Sequence, residues 1–119
     1  MRTLIVDDDK TSCQLLAKVL KNNGLEAEWI TDSLAGYNLS LHCSYDLFIL
    51  DVRMPFLLGT EFAEGLKKAN PDAKIILISA FADEALQATA RSLGAALLSK
   101  PFTPESLLEV ITEIFGQQA

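Results

Sequence analysis

The sequence predicts an α/β fold, a doubly wound parallel sheet of five strands with helices on both faces. Three observations carry that expectation. Short apolar runs alternate with amphipathic, helix-length segments along the whole chain. The runs "DLFILD" and "KIILIS" are apolar on both faces, as strands between two helical layers must be. No linker, repeat or low-complexity stretch interrupts the alternation. At 119 residues, 50% of them hydrophobic and 22% charged, the chain has the size and composition of one globular domain over residues 1–119, without need of staples.

The elements follow in order. "TLIV", Thr3 to Val6, reads as a buried strand, and "TSCQLLAKVLKNNG" as a helix with Cys13, Leu16, Ala17 and Leu20 inward and a stop at Asn23 and Gly24. "LEAEWI" alternates Leu25, Ala27 and Trp29 against Glu26 and Glu28, which predicts a half-exposed strand at a sheet edge. "SLAGYNLSLH" predicts a short helix capped by Ser33. After "DLFILD", the helix "GTEFAEGLKKAN" must stop before Pro71, since a residue preceding proline avoids the helical region. "KIILIS" is the fourth strand, and "ADEALQATARSLG" a helix ended by Gly94. "ALLS" is the fifth strand, and "TPESLLEVITEIF" a helix with Thr103 as cap and Pro104 at its first position.

Charge and cysteine usage narrow the function. A net charge of −6 argues against general nucleic-acid or anionic-membrane binding, both of which need basic patches. There is no apolar run long enough for a membrane helix, and the first residues lack the pattern of a secretory leader. Cys13 and Cys43 do not make a disulfide framework, so a cytoplasmic protein with reduced thiols is expected.

In such a sheet, ligands sit beyond the carboxyl ends of the strands. Those ends are unusually polar here: Asp7, Asp8 and Asp9 after the first strand, Asp51 after the third, Ser79 after the fourth, Ser99 and Lys100 after the fifth. Carboxylates converging on one crevice repel, so they raise a pKa or recruit a cation. Oxygen ligands without His or Cys point to Mg²⁺, which bridges carboxylates to phosphate. Lys100 supplies a point charge for a phosphoryl oxygen and Ser79 a hydroxyl. The set reads as a phosphoryl-transfer site, which needs positioning and charge neutralisation above all. The bland reading is solvated strand-end acids and a structural lysine.

"LIVDDD", "DLFILDVRMP", "LISAFAD" and "SKPF" resemble, in order and spacing, the receiver domain of two-component response regulators (CheY-like) along essentially the whole chain. The resemblance implies the flavodoxin-like strand order 2-1-3-4-5 and a cis Lys100–Pro101 bond. It makes Asp51 the phosphoacceptor, and Asp7, Asp8, Asp51 and the backbone carbonyl of Arg53 the Mg²⁺ ligands. Ser79 and Lys100 hold the phosphoryl group, while Asp9 has no such role and reads as a first-turn helix acid. The implied function is a phosphorylation-dependent switch of the phosphorelay type. A sensor histidine kinase or phosphotransfer protein is the donor, and the output passes through the fourth helix, fifth strand and fifth helix to a downstream effector. That face also offers a homodimer. An autonomous enzyme is not implied, only the domain's own phosphoryl transfer and dephosphorylation.

Departures are specific. Leu97 stands where receivers place a switching Tyr or Phe, after a loop from Gly94 one residue shorter than usual. Phe56 and Leu58 stand where Gly and Asp or Asn are common. Arg53 and Phe81 fill the variable positions flanking the acceptor, and His42, the only histidine, lies far from the acids along the chain. A pseudo-receiver, a phosphate-independent interaction module, is the alternative. An aspartyl phosphohydrolase is disfavoured because Arg53 occupies the place of its second acid.

Overall fold

A computed structural model of the chain describes residues 1–116. The elements alternate as β1 (Arg2–Val6), α1 (Lys10–Asn22), β2 (Glu26–Ile30), α2 (Ser33–His42), β3 (Leu47–Asp51), α3 (Gly59–Ala69), β4 (Ile75–Ser79), α4 (Glu84–Leu93), β5 (Ala96–Ser99) and α5 (Pro104–Gly116). All strand pairs are parallel, in the order β2-β1-β3-β4-β5. The expected architecture and strand order are therefore present, and Lys100–Pro101 is cis. No described helix is long and apolar enough to cross a membrane.

The period of two along each central strand divides the core. Ile5, Ile49, Ile76, Ile78 and Leu98 face α1 and α5, where Cys13, Leu16, Leu20, Leu107 and Ile111 meet them. Leu4, Val6, Phe48, Leu50, Ile75 and Leu77 face the other layer, where Phe62, Ala63 and Leu66 of α3 and Ala90 of α4 pack. Tyr37 of α2 meets the Phe62 ring edge-on, with centroids 5.2 Å apart. Continuous apolar strands are thus required on both faces, and the carboxyl ends of β1, β3, β4 and β5 are left as the place where the sequence turns polar.

Local signals act largely as read, with three corrections. Asn70 is extended before Pro71, and Gly94 takes the left-handed conformation (φ 67°) that closes α4. The Thr103 hydroxyl accepts from the Ser106 amide at 3.0 Å. Ser33, however, is not the cap of α2. Asp32 is, accepting from the amides of Leu34 and Ala35, while the buried Ser33 hydroxyl donates to the carbonyl of Pro55 at 2.6 Å. Asp9 is the N-cap of α1 rather than a first-turn acid, accepting from the Thr11 amide at 3.0 Å and the Ser12 hydroxyl at 3.0 Å. The alternation of β2 also breaks, because Trp29 is 36% exposed beside Glu28. With β1 its only strand neighbour, β2 is left incompletely covered.

The start of α3 is pinned to the end of β3. The Gly59 amide donates to the Val52 carbonyl at 2.9 Å, and a Cβ on Gly59 would lie 2.3 Å from the Asp51 carbonyl oxygen. Only glycine admits that approach. Gly59→Ala is expected to lower stability by about 1–3 kcal/mol through forced backbone displacement, read as a lower urea midpoint at unchanged m value. An unchanged midpoint would mean that the loop yields without cost.

Candidate functional site

The site assembles where three strands end. Asp7 follows β1 and is almost fully buried, Asp51 closes β3 and is 8% exposed, and Asp8 lies open beside them. One carboxylate oxygen from each of the three lies within 4.8 Å of the others. Lys100, just past β5, reaches Asp51 Oδ1 at 3.3 Å and Asp7 Oδ2 at 3.5 Å. Its position is set through the backbone, since the Lys100 amide donates to the Ser79 carbonyl at 2.8 Å. Ser79 is buried at the end of β4, and its Oγ accepts from the Phe81 amide at 3.0 Å. That oxygen still has its own proton to donate.

Electrostatics follow from burial. Desolvation, reinforced by the Asp7 charge, pushes the Asp51 carboxyl up to about 6 despite Lys100. Asp7 is also raised, chiefly by burial, while the Asp9 amide (2.9 Å from Asp7 Oδ1) and Lys100 pull it down. Burial works against the Lys100 charge, but Asp51 and Asp7 outweigh it and the ammonium titrates above its ordinary range. Three carboxylates against one ammonium leave excess negative charge in a poorly solvated crevice. An all-oxygen donor set of that sign fits a hard divalent cation such as Mg²⁺.

Asp7, Asp8, Asp51 and Lys100 are therefore brought together, with Ser79 on the adjacent strand end. Arg53 lies two residues past Asp51 with an exposed side chain. His42, at the far end of α2, holds a 2.8 Å contact to the Asn38 carbonyl and stands at the opposite end of the sheet from the acids. Phe81 is 73% exposed. One neighbour was not foreseen: the Cys13 thiol donates to the Asp7 carbonyl at 3.2 Å and is pushed up to about 11 by burial and Asp7. Its inward position in α1 signalled packing but not this bond. Beside Lys100, a largely apolar groove of about 570 Å³ runs between α1 and the segment after β5, lined by Leu15, Val19, Pro101 and Phe102.

The loop after Asp51 is strained at Phe56. The Leu57 amide donates to the Pro55 carbonyl at 2.8 Å, closing a three-residue turn with Phe56 at its centre. Phe56 takes φ 70°, a region suited to glycine, and is 90% exposed. Leu58 caps α3 without a polar side chain, and Glu61 reaches back to its amide at 2.9 Å.

Fold and site together define a receiver domain, and the chain belongs to the response regulator receiver domain family, which it matches over residues 3–112. It is 34% identical, over 100% of its own length and 53% of the relative's, to the transcriptional regulatory protein CusR of Escherichia coli K12. It is 32% identical to the probable transcriptional regulatory protein SilR of Salmonella typhimurium, covering 91% of this chain and 48% of that one. The chain thus spans about half the length of these relatives. In structure it resembles a CheY-like receiver domain protein of Methanospirillum hungatei, with a TM-score of 0.91, 30% identity and coverage of 98% and 94% of the two chains. It also resembles the response regulator TrrA of Thermotoga maritima in complex with Mg²⁺-BeF, with a TM-score of 0.86, 29% identity and coverage of 95% and 97%.

Two outcomes test this geometry. Asp51 titrates higher folded than unfolded, so its ionisation opposes folding: the burden is absent below the ordinary value of 3.8 and complete above about 6. In EDTA, Asp51→Asn is expected to be more stable than the parent by about 1–2 kcal/mol near neutral pH, with the gain vanishing near pH ~4. Urea titrations at both pH values check it, and a gain persisting in acid would contradict it. Phe56→Gly removes little packing and relieves the turn, so a gain of about 1 kcal/mol is expected after the entropy cost of glycine. A lower melting temperature would show that the ring packs after all.

Proposed function

We propose that the chain works as one receiver domain over residues 1–119, a phosphorylation-dependent switch with Asp51 as phosphoacceptor. The observation that carries the reading is Asp51 at a strand end, in contact with Lys100 and within ligand distance of Asp7 and Asp8. An Asp51 carboxylate oxygen attacks the phosphorus of a donor phosphohistidine. The new P–O bond forms in line as the P–N bond breaks, and the electron pair leaves with the imidazole. Asp7, Asp8, Asp51 and the Arg53 carbonyl would hold Mg²⁺, which would neutralise charge on the transferred group. Lys100 keeps Asp51 ionised and orients it, then pairs with a phosphoryl oxygen. Ser79 donates its free hydroxyl proton to another.

The donor is a sensor histidine kinase or a phosphotransfer protein, and the groove beside Lys100 gives it an apolar seat within reach of Asp51. The output is a change of partner, read by an effector domain or protein through α4, β5 and α5. Leu97 is half-buried against the core layer that holds Leu77 and Ala90, and so offers no phenolic group to the surface there. The chain acts in the cytoplasm, and an acidic domain of this kind does not itself bind nucleic acid. Relatives named as transcriptional regulators support an output to transcription in a longer protein. Leu97 is also what favours the second reading, a pseudo-receiver with a fixed interface.

Incubation with Mg²⁺ and acetyl phosphate separates the two. One phosphoryl adduct is expected on the parent and none on Asp51→Asn. Asp9→Ala is expected to keep the adduct while losing about 1 kcal/mol of stability with its helix cap. A folded parent that takes no adduct leaves the interaction-module reading, and equal loss of label in both variants would misassign the acids.

A further inference from the structure

Ser33 opens α2, where a hydroxyl ordinarily bonds its own helix or faces water. Here Asp32 has taken the cap, and Ser33 is 3% exposed. Its hydroxyl donates at 2.6 Å to the Pro55 carbonyl, 22 residues along the chain in the loop between β3 and α3. That loop starts directly after Asp51.

Both partners of this bond are fixed. On the helix side, a Cβ on Gly36 would lie 3.1 Å from Val6 and from Ile30, so α2 is seated directly against β1 and β2. Val6 is the residue before Asp7. On the loop side, the Pro55 carbonyl also accepts from the Leu57 amide at 2.8 Å and closes the turn through Phe56. With φ 70° at its centre, this is the rare and strained form of a three-residue turn. Packing does not reward it, since Phe56 is 90% exposed. A strained conformation persists only where its surroundings over-determine it. Among the described residues, Ser33 is the one side chain hydrogen-bonded to residues 55–57.

Arg53 lies between two anchors of that loop. Before it, the Val52 amide donates to the Ile78 carbonyl at 2.9 Å, and the Val52 carbonyl accepts from the Gly59 amide at 2.9 Å. After it, Met54 is buried in the core layer with Phe62, and Pro55 is held by Ser33. No backbone hydrogen bond among the described residues engages the Arg53 carbonyl, so its neighbours alone set its direction.

We propose that Ser33 is a positioning residue of the acceptor site. By latching Pro55 to a helix seated on β1, it fixes the Arg53 carbonyl as a ligand for the cation that Asp7, Asp8 and Asp51 would hold. The inference rests on the reading of those acids as a Mg²⁺ site. Ser33 offers no ligand itself and acts through the loop. The latch thereby joins the two sides of the donor set, Asp7 and Asp8 after β1 with Asp51 and Arg53 on β3 and its loop. Groups standing behind metal ligands commonly change affinity by an order of magnitude or more.

Calorimetric titration of the whole chain with Mg²⁺ alone tests it. Ser33→Ala is expected to bind about 10-fold more weakly than the parent, its fold checked by circular dichroism. Ser33→Cys keeps a weaker donor in place, should lie between the two, and carries the test where Ser33→Ala does not fold. With acetyl phosphate, half-maximal labelling of Ser33→Ala should need more Mg²⁺, while the rate at saturating Mg²⁺ stays close to that of the parent. Relief of strain supplies the rescue: Phe56→Gly added to Ser33→Ala should recover most of the lost affinity, because the turn no longer needs its latch. A Ser33→Ala chain that is less stable in urea yet binds Mg²⁺ as the parent does overturns the proposal. So does a loss of affinity that Phe56→Gly leaves untouched. A parent that binds no Mg²⁺ instead removes the metal site itself, and this inference falls with it.

Discussion

The contact of Lys100 with Asp51 at 3.3 Å and Asp7 at 3.5 Å is the constraint on which the rest of the structure turns. It joins the ends of β1, β3 and β5, far apart in sequence. It also supplies a positive charge that favours the ionised form of the buried Asp51. Without that ammonium, burial and the Asp7 charge would carry Asp51 beyond the raised value of about 6 it already has. Yet one ammonium does not balance three carboxylates. The residue of negative charge suits the crevice to a divalent cation, and it is the state from which the proposed transfer starts.

Such an unstable cluster persists because the surrounding backbone is over-determined. Strands buried on both faces cannot slip register without exposing a whole apolar row, so Asp7 and Asp51 are fixed by Leu4, Ile5, Ile49 and Leu50 beneath them. Gly59 holds α3 against the Asp51 carbonyl, and the Asp9 amide and the Cys13 thiol hold both sides of Asp7. The electrostatic cost is local, and the packing that meets it is spread through two core layers.

How much of this could be read from the chain depends on the range of the signal. "DLFILD" and "KIILIS" announced β3 and β4 because burial on both faces is a property of the strand alone. Acids, a hydroxyl and a lysine at strand ends identified the crevice for the same reason, since parallel strands put those ends on one edge. Ser33 and Asp9 were misread where two adjacent capping residues competed and only backbone angles decide between them: Asp32 won the cap, and Asp9 took N-cap rather than first turn. Trp29 was read inward by alternation, but edge position is a fact of topology and not of the segment. The Cys13–Asp7 bond and the turn at Phe56 were silent, because neither residue type nor spacing encodes a thiol's target or a positive φ outside glycine.

Residues that break local rules fall into two groups with different physics. Asp7 and Asp51 violate electrostatics inside a crevice with Asp8 at its open side, a cost that the proposed binding of a cation and a phosphoryl group would offset. Phe56, Leu34 and Leu41 violate patterning on the outside, where no group within the described chain repays them. A strained turn that exposes an aromatic ring gains nothing in packing, and a helix that buries serine while exposing leucine gains little.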